Sequence, residues 1–162
     1  AESHFKILQE AIDNDSFPVL ILEDDVEVPD EIRNDTNILD LKNLPDDVDA
    51  VYVGTSQSDG HYNAYVEDNN WIQIEKVFAT HAILYLNKSF AEKVIEHGKR
   101  YIYEGNKPFD LAIAYELQPT HKVFACPVPL FFQADAKNTV NQWEHLTRLP
   151  LKQKKRFSIF TL

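Results

Sequence analysis

The stretch Pro18-Val19-Leu20-Ile21-Leu22-Glu23-Asp24-Asp25-Val26-Glu27-Val28-Pro29 limits the fold more than any other part of the chain. Four consecutive apolar residues, Val19 to Leu22, predict a strand buried on both faces, as in a parallel sheet. Three carboxylates follow directly, and keeping them ionised and unpaired inside a continuing buried strand would be prohibitive. The acids therefore mark the strand's carboxyl end, where open α/β sheets form their ligand crevice. Strand alternation would put Glu23 and Asp25 on one side and Asp24 on the other. Two carboxylates so spaced suit a hard divalent cation such as Mg²⁺ or Mn²⁺. The same triplet also fits a solvated acidic turn in a chain whose formal net charge is -10.

That net charge argues against nucleic acid as a partner, because phosphate binding favours a basic surface. A length of 162 residues suits one domain with room for a core, and 44% hydrophobic residues is ordinary for a globular protein. A single cysteine, Cys126, leaves no internal disulfide and fits a reducing, cytoplasmic setting. No stretch approaches the roughly 20 apolar residues of a membrane span, and no signal peptide is visible.

Around the acidic stretch the pattern is that of an α/β chain. Residues 3–13 place Phe5, Leu8, Ala11 and Ile12 on one helical face, with Ser3 as the expected N-cap and His4 on the surface. A short helix is expected between Asp30 and Leu44, followed by a solvated turn at Asp46-Asp47 and a strand from Asp49 to Gly54. Thr55 to Asn70 reads as a long loop or hairpin, in which His61 and Tyr62 are candidate acceptor contacts or plain exposed residues. Trp71 to Phe78 alternates as a half-buried strand does, and Ala79 to Asn87 reads as a further strand. Ser89-Phe90-Ala91-Glu92 matches a capping box opening a helix to about Tyr103, with Gly98 a weak point in it. Pro108 is expected at the first position of a helix over Phe109–Leu117, with Asp110 favourable in its first turn. His121 to Phe132 is apolar but holds Pro127 and Pro129, which suggests an edge or terminal strand. Residues 1–145 are expected to form the α/β domain, and residues 146–162 a basic C-terminal tail.

Ser3-His4 at the head of a helix, followed by Leu20-Ile21-Leu22-Glu23-Asp24-Asp25, resembles the family 25 glycosyltransferases, which include lipooligosaccharide and collagen galactosyltransferases. Thr80-His81-Ala82 before an apolar run resembles a further family strand, with Ala79 where the family usually has glycine. Pro108-x-Asp110 resembles a family element near the acceptor, and the resemblance continues to Thr139-Val140.

The resemblance implies a GT-A-like single domain with a mixed, mostly parallel sheet flanked by helices. It implies metal-dependent transfer of a sugar from a UDP-sugar to an acceptor hydroxyl, with inversion. Asp25 and Glu23 would be the Mn²⁺ or Mg²⁺ ligands. Ser3, His4, Glu23, Asp24, Thr80 and His81 would line the donor side, and Asp110 would be the general base. Family members carry a β-α-β segment ahead of the Ser-His helix, supplying much of the uridine pocket, where this sequence has only Ala1-Glu2. The chain is accordingly expected to be an excised fragment, to complete that pocket otherwise, or to have lost donor binding. Two other classes remain open: a non-catalytic carbohydrate-binding or scaffold relative, and a metal-dependent nucleotide-sugar hydrolase.

Overall fold

A computed structural model of the chain describes residues 1–28, 41, 44–55, 57–58, 62–66, 71–78, 80–126 and 130–133. The first helix, α1 (Glu2–Asp13), buries His4, Phe5, Leu8, Ala11 and Ile12. These are the apolar stripe expected of the segment, with His4 added to it. The helix begins two residues before the start that a Ser3 cap implies. Its N-cap is Ala1, with no capping side chain, so Ser3 sits exposed inside the first turn rather than ahead of it.

Strand β1 (Val19–Leu22) follows, then a turn closed by the Val26 N–H on the Glu23 carbonyl at 3.2 Å, and the short strand β2 (Val26–Glu27). Next come β3 (Ala50–Tyr52), β4 (Gln57–Ser58), β5 (Tyr62–Val66), β6 (Trp71–Ile74), β7 (Val77–Phe78) and β8 (Ala82–Tyr85). Helix α2 (Lys88–Tyr103) packs on α1, and α3 (Phe109–Ala112) leads into a π-helical turn at Ile113–Leu117 and a 3-10 turn at Gln118–Thr120. Strands β9 (Val123–Ala125) and β10 (Phe132–Gln133) close the described order.

The main sheet has six strands in the order β1-β8-β3-β9-β6-β5. It is mixed, but mostly antiparallel: among the described residues only β3 and β9 pair in parallel. The expectation of a mostly parallel sheet is overturned by β8, which lies between β1 and β3 and runs opposite to both. The chain reaches β8 through the β5–β6 hairpin rather than through a helical crossover, and a hairpin reverses direction. Strand β1 is therefore an edge of the sheet among the described residues, with Leu22 exposed, and not a strand buried on both faces. Strand β9 is the reverse case: the segment expected at an edge lies inside the sheet, between β3 and β6, and is fully buried.

Alternation along the inner strands builds two cores. Ala50, Tyr52, Ile83, Tyr85, Val123 and Ala125 face the helices, meeting Phe5, Leu8, Phe90, Val94 and Phe109. Val51, Val53, Ala82, Leu84 and Phe124 pack on the opposite side with Val48, Trp71 and Phe131. Burying a side chain such as Leu8 contributes about 1.5–3 kcal/mol. Gly98 marks the contact between helices, since a Cβ there would lie 2.7 Å from the Phe5 ring. The mid-helix glycine is explained by that close approach.

The helix starts also differ from expectation. Asn87, not Ser89, caps α2, its side chain accepting from the Phe90 N–H at 2.9 Å. Pro108 stands one residue ahead of its expected place, at the cap of α3, in an extended conformation. The single helix expected to Leu117 changes to π geometry at Ile113, which turns Ile113, Ala114, Leu117 and Gln118 inward together. The helix expected between Asp30 and Leu44, His61, Ala79, the two prolines of the Cys126–Leu130 segment, Thr139-Val140 and the basic tail lie wholly or mainly outside the described residues.

Candidate functional site

Register brings the site together. In the β1–β8 ladder Leu22 lies opposite Ala82, and the next rung is the Glu23 N–H donating to the His81 carbonyl at 2.9 Å. Glu23 thus leaves the carboxyl end of β1 against Thr80 and His81 at the amino end of β8. On the other flank of β8 the Val53 and Gly54 N–H groups both reach the Ala82 carbonyl, so β3 ends at the same level. Helix α1 starts at that end and delivers His4 from its first turn.

Glu23 is the centre. Its Oε1 accepts a hydrogen bond from Thr80 Oγ1 at 2.8 Å, and His4 Nδ1 lies 3.9 Å from the same oxygen, beyond hydrogen-bond reach. His4 is buried against Tyr85, whose hydroxyl is 2.8 Å from His4 Nε2, and against the Phe109 ring at 5.2 Å. The His4 ring holds the Glu23 carboxyl below its ordinary value; partial burial opposes this and the Thr80 hydroxyl reinforces it. At neutral pH Glu23 is therefore an anion.

His81 is fully buried, with Nε2 facing the Phe131 carbonyl at 3.4 Å. Burial pushes the imidazole below its ordinary value, while the Phe131 carbonyl and the charges of Glu23 and Asp25 pull it up. Gly54 makes room for this ring: a Cβ at Gly54 would stand 2.4 Å from His81 Nε2 and 2.7 Å from the Phe131 oxygen. Two buried side-chain nitrogens, His4 Nδ1 and His81 Nδ1, have no hydrogen-bond partner among the described residues.

Four of the residues singled out from sequence, His4, Glu23, Thr80 and His81, are brought together here. Asp25 acts on His81 through its charge, although it reaches that side by a tight turn and not by strand alternation. Ser3 and Asp24 stand exposed beside the buried residues. Asp110, half-buried in the first turn of α3, accepts from the Leu111 N–H at 3.0 Å and acts electrostatically on the Tyr52 hydroxyl beneath the site. Its neighbour Phe109 packs on His4.

Among the described residues no three His, Cys, Asp or Glu side chains gather as a metal-binding group. The carboxylates of Glu23 and Asp25 are hard oxygen donors, and an ion held by one or two carboxylates plus phosphate oxygens and water is the usual mode of Mg²⁺. The donor set fits such an ion only in partnership with a phosphate ligand.

Sequence reasoning missed Tyr85, Gly54 and the Phe131 carbonyl. Tyr85 was legible in principle, since it shares the strand face of His81 two alternations away. The Phe131 carbonyl, a backbone atom brought in from a distant segment, leaves no sequence signal. No family model, no curated protein and no solved structure matches this chain.

Proposed function

We propose that this chain is a glycosyltransferase of the family 25 type, with a GT-A-like fold, transferring a sugar from a UDP-sugar to an acceptor hydroxyl with inversion. One observation carries the reading. His4, Glu23, Thr80 and His81, drawn from three separate stretches by the resemblance, meet around one carboxylate at a strand end, with two buried nitrogens unpartnered.

Each residue then has a physical task. A divalent ion on Asp25, with Glu23 assisting, would offset the charge that develops on the departing diphosphate. Thr80 donates to one oxygen of Glu23 and orients the carboxylate, with the His4 ring beside the same oxygen. His81, held neutral by burial, stands beside Glu23 without adding charge. Ser3 and Asp24 line the donor from the exposed rim. Asp110 takes the acceptor's proton, which requires hydrogen-bond reach to that hydroxyl in the bound complex. Replacing Asp110 by alanine should abolish transfer and leave the fold intact.

Calorimetric titration of UDP, with and without Mn²⁺, tests the reading, repeated on Asp25→Ala. Binding that needs both the ion and Asp25 is the expected result. A folded sample that binds no UDP under either condition would overturn the transferase reading. Metal-dependent loss of UDP-sugar with no transfer to any acceptor would turn it toward a hydrolase.

A further inference from the structure

Among the described residues, Tyr85 is the one buried hydroxyl shown to touch the site that has no role in the reading above. It lies in β8, fully buried, 2.8 Å from His4 Nε2, its ring edge-on to the imidazole with centroids 5.6 Å apart. Its other ring neighbour, Phe90, offers no acceptor. A buried O–H left without an acceptor costs roughly 1–3 kcal/mol, so the hydroxyl proton goes to the available nitrogen. His4 Nε2 is then the acceptor, and a neutral imidazole accepting at Nε2 carries its proton at Nδ1.

The second nitrogen supports the same assignment independently. His4 Nδ1 faces Glu23 Oε1 at 3.9 Å. A lone pair there would point at a carboxylate oxygen and be repelled, whereas an N–H is attracted.

We propose that Tyr85 is a positioning residue, fixing His4 in the tautomer that presents Nδ1–H to Glu23. The assignment of Glu23 to a ligand site rests on the transferase reading; the tautomer does not. In this line Tyr85 donates to His4, and His4 directs its remaining N–H at the oxygen already held by Thr80. A movement of about 1 Å would convert the 3.9 Å approach into a hydrogen bond of ordinary length when ligand draws the cluster together.

The test is the ¹⁵N spectrum of the histidine side chains in the ligand-free protein at about pH 8. In the wild-type chain His4 should show a protonated-type Nδ1 and an unprotonated-type Nε2. Tyr85→Phe, which keeps the ring and removes the donor, should move both signals toward the average of the two tautomers. An Nε2–H signature in the wild type overturns the proposal, even if the variant does not fold. So does a folded Tyr85→Phe with an unchanged His4 pattern.

The affinity of Mn²⁺–UDP should fall about fivefold to tenfold in Tyr85→Phe, the loss expected from one misdirected hydrogen bond. Unchanged affinity beside a changed tautomer would overturn the positioning role. Absence of UDP binding in the wild type would remove the transferase reading, while the nitrogen signals would still decide the tautomer.

Discussion

Strand β3 has a polar cluster at each end, and the two are built on opposite principles. At its start, every polar atom of Asp49 is taken by the protein. Oδ1 accepts from the Asn87 side chain and Oδ2 from the Lys122 N–H, both at 2.9 Å. The Asp49 N–H donates to the Lys122 carbonyl at 2.9 Å, and its carbonyl accepts from Leu86 at 3.0 Å. One residue thus ties β3 to the ends of β8 and β9, and through Asn87 to the cap of α2. At the far end of β3, beyond Gly54, two nitrogens of the His4, Glu23, Thr80 and His81 cluster have no hydrogen-bond partner among the described residues. A completed network stabilises the fold, whereas a buried polar group without a partner costs stability.

The comparison predicts that stability and ligand affinity separate by position. Asp49→Ala should have the largest effect on stability, because hydrogen bonds to a charged group contribute about 1.5–3 kcal/mol each and two would be lost. Allowing for partial exposure, about 3 kcal/mol is expected, read as a Tm drop of roughly 6–12 °C for a chain of this size. Mn²⁺–UDP affinity of the folded protein should stay within about twofold, a difference under 0.5 kcal/mol. A matching loss of affinity would show that the two ends are not separable.

Gly54→Ala should disturb both properties at once. The added methyl meets His81 and the Phe131 carbonyl, and the latter is backbone, which yields reluctantly. Overpacking of this sort costs about 1–3 kcal/mol. Because the ring that must move belongs to the site, affinity should fall by about tenfold or more, equivalent to about 1.4 kcal/mol. Thermal melts and UDP titration on one sample would check the pairing of effects.

Asp25→Ala is the converse of Asp49→Ala. The side chain is exposed in a tight turn, so stability should change by no more than about 0.5 kcal/mol. Ion-dependent UDP binding should be lost. Intact binding in this variant would remove Asp25 from the site while leaving the Asp49 end as described.

The same contrast explains what could be read in advance. The Asp46-Asp47 turn, the buried stripe of α1 and the end of β1 at Glu23 were legible because each follows from local periodicity or from the cost of burying charge. The antiparallel insertion of β8 was not, because strand order depends on how the chain travels between strands, which local patterns leave unspecified. Burial of His4 was missed for a related reason. A histidine beside an apolar stripe looks like surface until Tyr85, 81 positions away, supplies its partner. The Asn87 cap was missed because Ser89 and Glu92 offered a well-formed alternative nearby.

The smallest effect, and the one that isolates His81, is on the pH dependence of stability. Burial holds this imidazole below its ordinary value of 6.5 in the folded chain. As pH falls through 6.5 the unfolded chain takes a proton that the folded chain resists, so stability declines from there down to the lowered folded value. Glu23, held below its ordinary value of 4.5 by His4 and Thr80 against its partial burial, acts in a separate window. Its stabilisation is present above 4.5 and is lost as pH falls below that toward its own folded value. Stability should therefore fall in two stages on acidification, the first belonging to His81 and the second to Glu23. In His81→Gln the difference from wild type should be constant above pH 6.5 and should shrink below it, because only the wild type is then losing this contribution. Denaturant melts at intervals from pH 8 to 5 would measure that difference, and the His81 ring shifts would report its protonation directly. A constant difference across the whole range would mean that His81 is not held neutral by the fold, and that the Gly54 end is less closed around it than its contacts with Gly54 and Phe131 require.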